Sequence, residues 1–141
     1  MAFIASGSST RQARKLGLGD ESHLVLVDAP SDWRPDWHGP IDRLSRSSIA
    51  AAPSGPDPIV TIAFVRDAKS LGELVANISS RAFDLAPVWI CWPRKASGHE
   101  SDLTDNDVRK AGLSLGLVDN KVAAVDTDWS GLRFARRRPR R

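Results

Sequence analysis

The sequence predicts an α/β domain, a three-layer sandwich built on a mainly parallel sheet of five or six strands and closed by an antiparallel C-terminal hairpin. Three observations carry that expectation. Short runs that are apolar at both parities, HLVLV at 23–27, IVTIAFV at 59–65 and VWICW at 88–92, read as strands covered on both faces. Helical periodicity lies between the second and third runs and again after the third. The links are short, which implies parallel neighbours joined by right-handed crossovers.

Taken in order, residues 1–11 read as a flexible N-terminus. Within its end, Thr10–Leu16 has the marks of a short helix, with Thr10 as N-cap and Gly17 just past the end. After the 23–27 strand, DAPSDWRPDWHGP at 28–40 holds three prolines and one glycine, too many for a long helix. Ile41–Ile49 is ambiguous and reads as a weak second strand. AAAPSGPDP at 50–58 is a flexible surface loop.

The run at 59–65 is β-branched, which suits a central strand. Asp67–Ser80 follows as a helix, with Leu71, Leu74, Val75 and Ile78 on one face and Asp67 favouring its N-terminus. Pro93 ends the third strand, and RKASGHESDL at 94–103 is a polar loop. Thr104 caps a helix to about Leu115, with Asp107 completing a shortened capping box and Gly116 as the stop. Val108, Ala111, Gly112 and Leu115 would face the core. Lys121–Val125, a turn at Asp126–Trp129 and the alternating GLRFA at 131–135 form the closing hairpin. Residues 12–135 thus make a single domain, and 136–141 a disordered basic tail.

The length of 141 residues fits one domain with a core that needs no metal or disulfide staple. A lone cysteine, Cys91, rules out an internal disulfide framework and a Cys-rich zinc site. No apolar run approaches 18 residues and no secretion signal is present, so a reducing cytoplasm is the expected compartment. The net charge is +3, yet Arg133, Arg136, Arg137, Arg138, Arg140 and Arg141 crowd the last nine residues. Taking those six positive charges away from +3 leaves −3, so the basic pI belongs to the tail.

RKLGL at 14–18, HLVLVDAP at 23–30, WPRKASGHESDLT at 92–104 and LVDNKVAAVDTDWSGLRF at 117–134 together resemble a bacterial family named domain-of-unknown-function family 3052. The resemblance covers about residues 12–137 and is loose over 31–58. It implies a small, single-domain cytoplasmic protein of a kind common in actinobacteria, and no activity. The order of elements also resembles a Rossmann-like fold, the later half of a class I methyltransferase, an analogy of fold alone.

The sharper chemistries find little support. S-adenosylmethionine binding needs a glycine-rich turn after the first strand, but after HLVLV there is no glycine until Gly39. Asp28 stands where an acidic residue meets a ribose, a commonplace position. No nucleophile elbow occurs, and Ser97 and His99 sit two apart in one loop. His23, His38 and His99 lack ligand spacing, so no metal is expected, and Cys91 reads as a buried, inert thiol. No cofactor is expected.

The strongest candidate site is the loop from Trp92 to Thr104, after the C-terminal end of a central strand. There Arg94 and Lys95 would supply charge, and Ser97 and the backbone near Thr104 would supply hydrogen bonds to an anion. Asp102 and Asp105 oppose it. Trp129 at the hairpin turn would either join this constellation or anchor the turn on the core. Trp33 and Trp37 would wall a pocket, form a partner surface or cover the sheet edge. The leading reading is a non-catalytic binding or regulatory module for a small anionic ligand or a protein partner. The alternatives are a degenerate methyltransferase-like enzyme, and a nucleic-acid accessory protein binding weakly and nonspecifically through Arg136, Arg137, Arg138, Arg140 and Arg141. No membrane association is expected.

Overall fold

A computed structural model describes residues 10–52, 58–95 and 101–137. Its first helix, α1 (Arg11–Leu16), begins at Thr10, whose hydroxyl accepts from the Ala13 N–H. It stops at Gly17, which takes φ 83°, a left-handed conformation that glycine adopts without steric cost. Strand β1 (His23–Val27) is buried at four of its five positions. The ambiguous stretch resolves into a short strand, β2 (Ile41–Leu44), followed by a 3-10 helix at Arg46–Ala51.

Strand β3 (Ile59–Phe64) leads into α2 (Ala68–Ile78), where Asp67 and Ser70 form a reciprocal capping box. The expected apolar stripe is present, with Leu71, Leu74 and Ile78 buried and Val75 partly so. A short helix, α3 (Ala82–Leu85), was not foreseen in the sequence. It precedes β4 (Val88–Pro93), buried at every position. The helix α4 (Asp105–Ser114) starts at the Thr104–Asp107 capping box, and Gly116 at φ 84° turns the chain into β5 (Leu117–Ala124). Strand β6 (Trp129–Arg136) closes the domain.

The fold is mixed α/β with one six-stranded sheet in the order β2-β1-β3-β4-β6-β5. The first four strands are parallel, and β6 lies antiparallel to both β4 and β5. The last strand of the chain is therefore internal, and β5 forms the edge. The register of β5 breaks between Asp119 and Lys121, so Asn120 bulges out.

Two apolar clusters cover the two faces. On the first, α2, α3 and α4 pack over Val25, Val27, Ala63, Val88, Ile90, Trp92, Leu132 and Phe134. On the second, α1 and the segment between β1 and β2 pack over Leu24, Leu26, Ile62, Phe64, Trp89 and Cys91. Trp37 is buried in that second cluster, where it covers the sheet instead of walling a pocket. Among the described residues, no helix is long and apolar enough to cross a membrane.

Candidate ligand site

Strand β4 ends at Pro93, and the chain then leaves the sheet at the C-terminal end of the parallel strands. Arg94 ties this exit to the hairpin tip. Its N–H donates to the Asp128 carbonyl at 2.8 Å, and its Nη1 donates to the Asp126 carbonyl at 3.1 Å. Returning at 101, the chain buries Leu103 and enters α4. Between the β4 exit, the start of α4 and the β5–β6 hairpin lies an open cleft of about 630 Å3. Trp92, Leu103, Val122 and Ala124 give it apolar walls, and Arg94, Lys95, Thr104 and Asp105 lie at its polar side.

Three of the residues expected from sequence therefore line one cleft: Arg94, Lys95 and Thr104. Their chemistry differs from the expectation in two respects. The Thr104 hydroxyl is engaged in the cap: it accepts from the Asp107 N–H at 3.3 Å and donates to Asp107 Oδ2 at 3.1 Å. Arg94 spends a guanidinium donor on the hairpin, so its first role is to hold the cleft's shape. Lys95 is exposed and makes no hydrogen bond or ion pair among the described residues, which leaves its ammonium available to a ligand. Ser97 lies outside the described residues, as do His99, Arg138, Arg140 and Arg141.

Trp129 does not belong to this cleft. It pairs with Pro93 across the β4–β6 ladder and falls on the second face; its neighbour Ser130, opposite Trp92, lines the cleft instead. Successive strand residues point to opposite faces, so one step along β6 decides which indole or hydroxyl reaches the ligand side. Trp129 packs edge-on against Phe64 at 4.9 Å between centroids, Phe64 against Trp33 at 4.9 Å, and the Arg66 guanidinium sits 5.6 Å from the Trp129 ring centroid.

Sequence reading missed the residue that organises this corner, Asp126. Its Oδ1 accepts from the N–H groups of Asp128 and Trp129 at 2.8 and 2.9 Å, and its Oδ2 accepts from the Trp33 indole at 2.8 Å. The local signal was there: an aspartate whose side chain caps the backbone two and three residues on is the standard chemistry of a tight turn. Nothing in the sequence announced the partner, 93 residues upstream.

A second polar depression, about 290 Å3, lies at the C-terminal end of β1. Asp28 there takes φ 53°, a left-handed conformation that aspartate tolerates better than most residues. Its Oδ2 meets Arg46 Nη1 as an ion pair at 2.6 Å without hydrogen-bond alignment, and Arg46 Nη2 lies 3.2 Å from Glu73 Oε1. One cation between two carboxylates leaves this place no excess positive charge.

Cys91 is fully buried, and loss of solvation pushes its thiol far above the usual range, with the Asp126 charge adding to the effect. A thiol held neutral is a poor nucleophile. His23 opens β1 with Nε2 3.2 Å from Asp42 Oδ2 on the neighbouring strand, a structural contact. His38 is exposed. Among the described residues, no three His, Cys, Asp or Glu side chains gather as metal ligands. Arg136 donates from Nε to the Phe83 carbonyl at 2.7 Å, while Arg137 is exposed.

No protein-family model matches the chain, and no curated protein is detectably similar to it.

Proposed function

We propose that this chain is a non-catalytic binding or regulatory module that holds a small anionic ligand, with an apolar body, in the cleft at the C-terminal end of β4. The observation that carries the reading is the cleft itself. Its volume of about 630 Å3 is in the range of small-molecule sites, roughly 300–1,000 Å3. Its apolar walls suit the body of a ligand, and Lys95 offers an unspent charge to the anionic end. Asp105, on the α4 side, would repel that end and so fix the ligand's direction, with the anion toward Lys95 and Arg94. A protein partner presenting one acidic and apolar segment would satisfy the same chemistry.

A further point supports the reading. The strand order 2-1-3-4 over the parallel strands is that of Rossmann-like, doubly wound sheets, which bind ligands beyond the C-terminal strand ends. In this reading the molecule is a three-layer Rossmann-like sandwich whose second face carries a reduced layer.

The same strand order favours the second reading, a degenerate methyltransferase-like enzyme. That reading would place a nucleoside in the crevice between β1 and β3, where Asp28 is already bound to Arg46. Thermal melts of the full chain with hydrophobic carboxylates, aryl phosphates and S-adenosyl compounds separate the two. A ligand at 100 times its dissociation constant adds about 2.7 kcal/mol, a rise of a few degrees for a domain of this size. The module reading expects a carboxylate or aryl phosphate to give that rise and Lys95→Glu to abolish it. A rise with S-adenosyl compounds alone, unaffected by Lys95→Glu, favours the enzyme.

A further inference from the structure

Away from the cleft, on the second face and toward the other end of the hairpin, four cations surround a depression of about 260 Å3. Arg14 and Lys15 come from the end of α1, Lys121 from β5 and Arg133 from β6, with Gly17 and Asn120 completing the lining. Among the described residues, no carboxylate lines it. The sheet itself brings two of the charges together: Lys121 and Arg133 are direct cross-strand partners, pointing to the same face. Like charges placed opposite one another oppose folding unless an anion lies between them.

The contacts that Lys15 and Lys121 make leave their charge uncompensated. Lys15 Nζ donates to the Ala124 carbonyl at 2.9 Å, and Lys121 Nζ donates to the Lys15 carbonyl at 2.9 Å. Both acceptors are neutral. Those bonds dock α1 onto the hairpin, alongside the Trp89 indole, which donates to the Leu16 carbonyl at 3.0 Å. They account for the lysines and leave Arg133 unexplained. Its guanidinium is half-buried and makes no hydrogen bond or ion pair among the described residues. Burial draws its pKa below the usual arginine range, the direction expected of a charge that has lost water and gained no counter-charge. A structural arginine in a sheet normally finds a carboxylate or a carbonyl, because a desolvated charge without a partner is costly.

From this convergence we infer that Arg14, Lys15, Lys121 and Arg133 form an anion site for a phosphate group. Arginine's planar donors match phosphate oxygens, and two ammonium groups add point charge. The depression is smaller than the pockets that enclose drug-sized ligands, so it fits a compact oxyanion or one phosphate of a larger molecule. The site is separate from the cleft on the first face and independent of what that cleft binds.

The test uses the full chain, inorganic phosphate and pyrophosphate, with ionic strength held constant by sodium chloride. Saturable stabilisation beyond the chloride control is expected, stronger for pyrophosphate. Lys121→Gln and Arg133→Gln, singly and together, are expected to weaken the apparent affinity at least about tenfold for the pair. Lys69→Gln with Lys110→Gln removes two exposed charges elsewhere and is expected to leave it unchanged. If Arg133→Gln does not fold, exposed Lys121→Gln alone carries the test. Displacement of pyrophosphate by a single-stranded oligonucleotide would identify the phosphate as one of a nucleic acid, and failure to displace would identify it as a small molecule's. Equal shifts in phosphate and chloride, or shifts that persist in the Lys121/Arg133 double variant, would overturn the proposal.

Discussion

On its first face the sheet lies under three helices whose apolar stripes meet it directly. On its second face it lies under the six-residue α1 and an irregular segment rich in proline. The first face is held by periodic burial: Leu71, Leu74 and Ile78 of α2 and Val108 of α4 follow helical spacing. The second is held by indoles, three of them with an apolar body in the cluster and a polar edge fastened to a particular acceptor. Trp33 donates to Asp126, Trp37 to the Gly19 carbonyl at 3.3 Å, and Trp89 to the Leu16 carbonyl. A face lacking a long helix is covered here by a few large side chains with specific partners. The cost of losing any one of them is correspondingly concentrated.

That contrast can be broken most severely at Trp37, which is 1% exposed. Gly39 lets the backbone pass directly over its ring, where a Cβ would come within 2.0 Å of it. Trp37→Ala is expected to cost about 3–5 kcal/mol, read from urea or guanidinium unfolding. Next in size, Asp126→Ala removes the acceptor shared by Trp33 and two turn N–H groups, and is expected to cost about 1.5–3 kcal/mol. It should also loosen the hairpin tip that Arg94 grips, so amide exchange at 126–130 should accelerate.

The first face has its own point of tight fit. Gly112 of α4 meets the Phe134 ring, where a Cβ would lie 2.0 Å from a ring carbon. Gly112→Ala gains helix propensity but overpacks this contact, and a net loss of about 1–3 kcal/mol is expected. The smallest effect concerns acid. Hydrogen bonds from the Ser70 backbone and then its side chain hold Asp67, the N-cap of α2, below the usual aspartate range. A carboxylate depressed in the folded state contributes stability above its unfolded pKa, about 3.9, that is lost as pH falls further. Asp67→Asn should therefore flatten the decline in stability below about pH 4 and change little at neutral pH.

Most strands and helices were legible in the sequence, and the packing of the second face was not. The strands at 23–27, 59–65 and 88–92, the stripe of α2, the caps at Thr10 and Thr104 and the stops at Gly17 and Gly116 are local patterns. Each is enforced by backbone hydrogen bonding within a few residues. The second face depends on contacts between residues about 18 to 93 apart, such as Trp37 with Gly19 and Trp33 with Asp126. No period announces those. The candidate site divides in the same manner. Arg94, Lys95 and Thr104 were placed together because position after a central strand is a topological property. The sequence leaves Trp129 open between this group and the core, and strand parity sends it to the other face. The cations at Arg14, Lys15, Lys121 and Arg133 lie too far apart in the chain to be read as one group.

If the cleft beside β4 is the ligand site, amide chemical-shift mapping of the full chain will place the ligand there. Benzoate, octanoate and phenyl phosphate are the probes, because they join an apolar body to an anionic end. Saturable perturbations are expected at residues 92–95, 103–105, 122–124 and 130, and their loss in Lys95→Glu. Perturbations confined to the crevice around Asp28 and Arg46, or none with any of the three probes, would contradict the cleft as the ligand site.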